Sequence, residues 1–155
     1  MQSINFDDGL KSFAINGDES RVIRFNPSDP DLIVRYNKAH KMLKNVSSDK
    51  LSKIKLDGLG NIRKDSLEMN FDEAAHALEE TNGVIREALE LMFNADVYDA
   101  VFGGQSPFAS VGDGSGRFVF ETFLEALKPI LEEGIAEYKA ESEERMGKYL
   151  KGYAK

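Results

Sequence analysis

A chain of 155 residues, 41% hydrophobic and 30% charged, has the make-up of one globular domain, able to bury about two thirds of its unfolded surface. No apolar run approaches the roughly 20 residues of a membrane span, and the opening MQSINFDDGL has neither the basic start nor the apolar stretch of a secretory signal, so the chain is expected to stay where it is made. The lack of cysteine excludes disulfides, a thiolate nucleophile and Cys-based zinc sites, which fits a reducing cytosol.

The first readable element is a hairpin over about residues 11–25. Two short runs rich in β-branched and aromatic residues flank Asn16-Gly17-Asp18, and Asn-Gly accepts the positive φ angles of a tight turn. Val22, Ile23 and Phe25 alternate with Arg21 and Arg24 well enough for one half-buried face, which must rest on helices because an isolated hairpin is unstable. Asn26-Pro27-Ser28-Asp29-Pro30-Asp31 then opens a helix over about 30–46, with Asp29 as N-cap and Pro30 at the first helical position. Leu32, Tyr36, Ala39, Leu43 and Val46 form its apolar stripe, His40 lies near the edge of that stripe, and Arg35, Lys38, Lys41 and Lys44 fill much of the remainder.

Residues 47–70 read as a linker with one short basic helix around Leu51, Ile54 and Leu56, interrupted by Gly58 and Gly60. A capping box, Asn70 with Glu73, predicts a helix over 70–82 whose Phe71, Ala74, Ala75 and Leu78 face inward, ended or bent by Asn82-Gly83. A deeply buried helix is predicted over 84–102, with Val84, Ala88, Leu91, Ala95 and Tyr98 on one side and Ile85, Leu89 and Met92 beside them. Gly103-Gly104 stops it, and 103–116 reads as a flexible loop. A last helix over about 117–148 should kink or loosen at Pro129 and Gly134 and fray at its charged end. The expected fold is therefore mainly α with a small N-terminal β-hairpin (α+β), a single domain built as a bundle of about four helices. Its core should include Phe25, Leu32, Tyr36, Leu43, Leu78, Leu89, Met92, Phe102 and Leu127.

The net charge of −7 conceals blocks. Residues 35–64 hold nine Lys or Arg against two acids, residues 72–99 eight acids against one Arg, and residues 121–144 eight acids against two Lys. The acidic C-terminal half would repel nucleic acid, and basic and acidic helices lying beside one another explain the blocks without a polyanion site. The sequence Gly112-Asp113-Gly114-Ser115-Gly116 has neither the spacing of a phosphate loop nor a preceding strand. Asp72, His76 and Glu80 share a helix face but read more simply as exposed charged positions than as metal ligands, and no serine sits in a nucleophile elbow. No catalytic residue, metal or cofactor is expected, and no enzyme activity. Six of the ten phenylalanines fall within residues 93–127. Most should be core, with two or three left as anchors for a partner, the candidates being Tyr98, Phe102, Phe108, Phe118, Phe120 and Phe123.

Two stretches resemble the small tail assembly chaperones of long-tailed (siphovirus-type) bacteriophages and prophages. VIRFNPSDPDLIVRY is similar to that family's short β element followed by a helix opening, matched at Ser28, Asp29 and Pro30. VYDAVFGGQSPFASVGDGSGRFVFETFLEALKPILEE is similar to its acidic D-x-x-F-G helix end, small-residue loop and last amphipathic helix, matched at Asp99, Phe102 and Gly103. The resemblance implies a non-catalytic protein of the bacterial host cytoplasm, absent from the mature virion. It would bind the tape-measure protein, keep it soluble and recruit tail-tube subunits, with neither nucleic acid nor membrane as partner. It also implies, for many such chaperones, a second product with a C-terminal extension made by ribosomal slippage. The alternative reading is a self-associating structural or regulatory module of phage or bacterial origin, a homo-oligomer joined through the aromatic bend.

Overall fold

The computed structural model describes the backbone of residues 1–47 and 67–153. The chain is mostly helical, with a two-stranded antiparallel hairpin at the N-terminal side, in agreement with the α+β reading. The basic helix expected within the linker lies outside the described residues.

Strands β1 (Lys11–Ile15) and β2 (Asp18–Phe25) pair with Phe13 opposite Ile23 and Lys11 opposite Phe25. The turn is made by Asn16 (φ 53°) and Gly17 (φ 76°), both left-handed, the combination for which Asn-Gly is suited. The buried face carries Ile23 and Phe25, with Phe13 stacked on Phe25 at 4.6 Å between ring centroids. Val22, expected inside, is 40% exposed, while Arg21, expected outside, lies two and four residues from the inward Ile23 and Phe25 and points the same way.

Helix α1 (Asp31–Ser47) opens as its sequence dictates. Asn26 accepts the Ser28 N–H at 2.9 Å, Asp29 accepts the Asp31 N–H at 2.9 Å, and the Asp29 carboxylate holds Arg35 at 3.3 Å. Helix α2 (Leu67–Phe93) starts three residues before the predicted Asn70 cap and runs through Asn82-Gly83 without a break. Thr81, 1% exposed, bonds back to the Ala77 carbonyl at 2.7 Å, and Ile85 is buried one turn on, so packing on both sides carries the helix past a glycine that costs it about 1 kcal/mol. Its C-terminus is Phe93 rather than residue 102, because Asn94 adopts φ 58° and turns the chain out of the helix. Arg35 reaches back from α1 to donate to the Met92 carbonyl at 3.1 Å, satisfying one of the orphan acceptors at that end.

A short helix α3 (Tyr98–Phe102) follows, and α4 (Val119–Tyr153) is one helix through Pro129 and Gly134. Gly134 is buried, and a Cβ there would overlap the backbone carbonyl of Pro27, so glycine is what lets the helix lie against the loop that starts α1. The core joins Ile23 and Phe25 to Leu32 and Ala39 of α1, Ile85, Ala88, Leu89, Met92 and Phe93 of α2, Val101 and Phe102 of α3, and Leu127 and Leu131 of α4. The buried face of α2 is thus the Ile85–Leu89–Met92 side. Val84 and Leu91 are half-buried and Ala95 is exposed, beyond the helix end. Tyr36 and Leu43 pack partly buried against this core, and Leu78 is half-buried.

Candidate partner-binding site

The aromatic residues sort into two groups. One is a continuous series of rings that joins the hairpin, α2, α3 and α4. Phe25 meets Phe93 at 5.1 Å, Phe93 meets Phe123 at 6.3 Å, Phe123 meets Phe102 at 6.5 Å and Phe102 meets Tyr98 edge-on at 5.1 Å. The other is a three-ring cluster in which Phe108 stands edge-on to Phe118 (5.6 Å) and Phe120 (5.3 Å), while Phe118 and Phe120 lie nearly parallel at 6.3 Å. Of the six sequence candidates, Phe102 is spent on the core at 1% exposure and offers no surface. Tyr98, Phe108, Phe118, Phe120 and Phe123 are half-buried. Phe118 and Phe120 do not point to different sides as two residues of one helix would, because Phe118 precedes α4 and belongs to the loop.

Within that loop residues 106–109 pack against the body, while 103–105 and 110–116 are exposed. Pro107 is fully buried, Ser110 and Phe118 form an antiparallel bridge, and the N–H groups of Val119 and Phe120 donate to the carbonyls of Ala109 (2.9 Å) and Pro107 (3.0 Å). At its tip Asp113 accepts hydrogen bonds from the Ser115 hydroxyl and N–H and from Arg117, which also reaches Glu125 of α4 at 2.7 Å. Those bonds, the Ser115 hydroxyl first, hold the Asp113 carboxyl down at about 2 instead of the ordinary 3.8.

The end of α3 shows what Asp99, Phe102 and Gly103 do locally. Gly103 takes φ 61° and donates to the Asp99 carbonyl at 2.9 Å, closing the helix. Arg21 of β2 donates to the carbonyls of Ala100 and Val101, both at 2.8 Å, and a Cβ on residue 103 would stand 2.9 Å from its guanidinium carbon. On the outer side Arg86 binds Asp96 (3.1 Å) and Asp99 (3.2 Å) and lies 4.6 Å over the Tyr98 ring. Asp96 foremost, then Asp99, raises the Arg86 pKa, and burial raises that of the Tyr98 phenol.

Between β1 and α4 these elements leave an open groove of about 350 Å³. Its walls are Phe13, Ile15 and Ile23 on the hairpin side and Phe123, Ala126 and Ile130 on the helix side, with Val101 and Val119 between. Among the described residues that line it, Asn16 and Thr122 are the only polar side chains and none is ionisable. Such a surface can receive a stripe of apolar side chains. Phe123 alone of the six candidates reaches it. Phe13 and Ile15, one strand period apart, and Ala126 and Ile130, on the helical face of Phe123, carry the signal that would have found the rest. Among the described residues no group of three or more His, Asp or Glu is placed to hold a metal ion, and Asp72, His76 and Glu80 lie exposed on α2. No described helix is long and apolar enough to cross a membrane. No family model, curated protein or solved structure matches the chain.

Proposed function

We propose that the chain is a non-catalytic tail assembly chaperone of the long-tailed phage type, working in the cytoplasm of the bacterial host and absent from the finished virion. It holds the helical tape-measure protein soluble and brings tail-tube subunits to it. The observation that carries this reading is the open, uncharged groove between the hairpin and α4, walled by Phe13, Ile15, Phe123, Ala126 and Ile130. An amphipathic helix presents apolar side chains at i, i+3, i+4 and i+7, and a groove of this kind takes such a stripe without any buried polar group to satisfy. A net charge of −7 on the rest of the molecule keeps the complex dispersed.

Co-expression with a tape-measure protein of a long-tailed phage tests the proposal. The wild-type chain should keep that protein in the supernatant and co-purify with it. Ala126→Arg places a charge in the groove from an exposed position and should abolish both effects while the variant itself stays folded. A tape-measure protein that is equally insoluble with and without the wild-type chain would refute the reading.

A further inference from the structure

Residues 1–10, ahead of β1, are all exposed, Ile4 at 90% and Phe6 at 76%. Two large apolar side chains one strand period apart, with polar Asn5 between them, make the pattern of a strand that has one face to bury. A surface of matching shape lies on the same molecule. Phe13, Ala14, Ile15 and Asn16 are consecutive, and all four line the groove against α4, so the groove follows β1 along its length. Among the described residues β1 has β2 as its one strand neighbour, which leaves the backbone groups of its other edge without a ladder beside that groove. The chain's own arm is led away from it. Asp7 and Asp8 accept the N–H groups of Gly9 and Leu10, and Gly9 (φ 72°) comes so close to Asn26 that a Cβ there would stand 2.7 Å from the Asn26 side-chain nitrogen. Asn26 follows β2, so the chain enters β1 from the β2 side, opposite the edge that borders the groove.

We infer that residues 3–8 of one copy of this chain add a strand to the free edge of β1 in a second copy, seating Ile4 and Phe6 in its groove, and that the two copies exchange these arms mutually. Charge sets the direction of the added strand. The arm ends in Asp7-Asp8, whereas β1 begins at Lys11, next to Arg24 of β2, and ends at the turn that leads into Asp18 and Glu19. Antiparallel pairing, with Ile4 opposite Ile15 and Phe6 opposite Phe13 of the second copy, puts Asp8 opposite its Lys11. A parallel strand would carry both acids towards Asp18 and Glu19. Gly9, free to take left-handed or extended backbone, is the hinge on which the arm swings out. Two exchanged arms and the walls that receive them bury on the order of 1,200 Å², the low end for a stable interface, so the dimer should form and dissociate with concentration. The inference does not rest on the chaperone reading; a client helix would compete with the arm for the same groove.

Sedimentation of the full chain, with no client present, over a range of concentrations and with helix content measured alongside, provides the test. The wild type should show a reversible monomer–dimer equilibrium. Phe6→Asp in the arm and Ala126→Arg in the groove wall each bring a charge to an apolar contact and should each weaken the dimer by about tenfold or more. Both positions are exposed, so helix content should be unchanged. The two variants spoil different halves of the contact. Mixed together they regain one intact arm and one intact groove, and the mixture should dimerise more tightly than either variant by itself. A wild type that is monomeric throughout, a dimer indifferent to both changes, or a mixture no tighter than its separate components would each overturn the inference, whatever the outcome of the co-expression experiment.

Discussion

Gly134 and Gly83 sit in the interiors of two long helices, yet the same substitution should act on them in opposite directions. A methyl group at Gly83 meets nothing within 4 Å, so Gly83→Ala should stabilise the fold by about 0.5–1 kcal/mol through helix propensity alone. At Gly134 the methyl meets the Pro27 backbone, which cannot swing aside like a side chain. Gly134→Ala should therefore lower the midpoint of thermal unfolding, and an increase would mean that α4 does not pack on the α1 entry loop. Arg21 carries a comparable local role. Its removal in Arg21→Ala strips two carbonyls at the end of α3 of their donor and should cost on the order of 1–3 kcal/mol in chemical denaturation. Asp113 supplies a pH signature. Its folded pKa is depressed, so its contribution is fully present above 3.8 and is lost as pH falls towards about 2. A carboxyl-detected NMR titration should place Asp113 near that value, and Ser115→Ala should move it back up towards 3.8.

At the scale of elements, Leu89 is 3% exposed on the inner face of α2, and Leu89→Ala should cost about 2–5 kcal/mol; an unchanged melting temperature would mean that the helix is docked on another face. The hairpin and the start of α1 were legible because their determinants are local. Asn16-Gly17 forces its own turn, and Asn26 and Asp29 bond to backbone two residues away. The α2 boundaries were not, because distant packing decides them. Asn82-Gly83 reads as a stop, but Ser106 from the loop donates to Asn82 at 3.0 Å and Thr81 is buried, so tertiary contacts hold the helix through it. Asn94, which takes φ 58° and does stop the helix, is a better signal than Gly103. Arg21 and Arg35 look solvent-facing in the sequence for a related reason. Each caps a helix end that lies 57 residues away in the case of Arg35, or about 80 in that of Arg21, a relation no spacing pattern records.

Across the whole molecule, the aromatic excess that dominates residues 93–127 serves mainly to tie layers together, one set of rings running from Phe13 on the hairpin to Tyr98 on α3. One surface open to a partner lies where two layers fail to close, between β1 and α4. Half of that surface comes from the hairpin, far in sequence from the aromatic bend, so spacing marks each wall of the groove separately and does not record that the two walls meet. The most direct test is a methyl-resolved NMR titration of the chain with a helical segment of the proposed client, a tape-measure protein. Methyl signals of Ile15, Ile23, Val101, Val119 and Ile130 should shift together and saturate, with those on the far side of α1, such as Val34, unmoved. Shifts confined to the Phe108–Phe118–Phe120 cluster, or none at any concentration, would contradict the groove as the site of client binding.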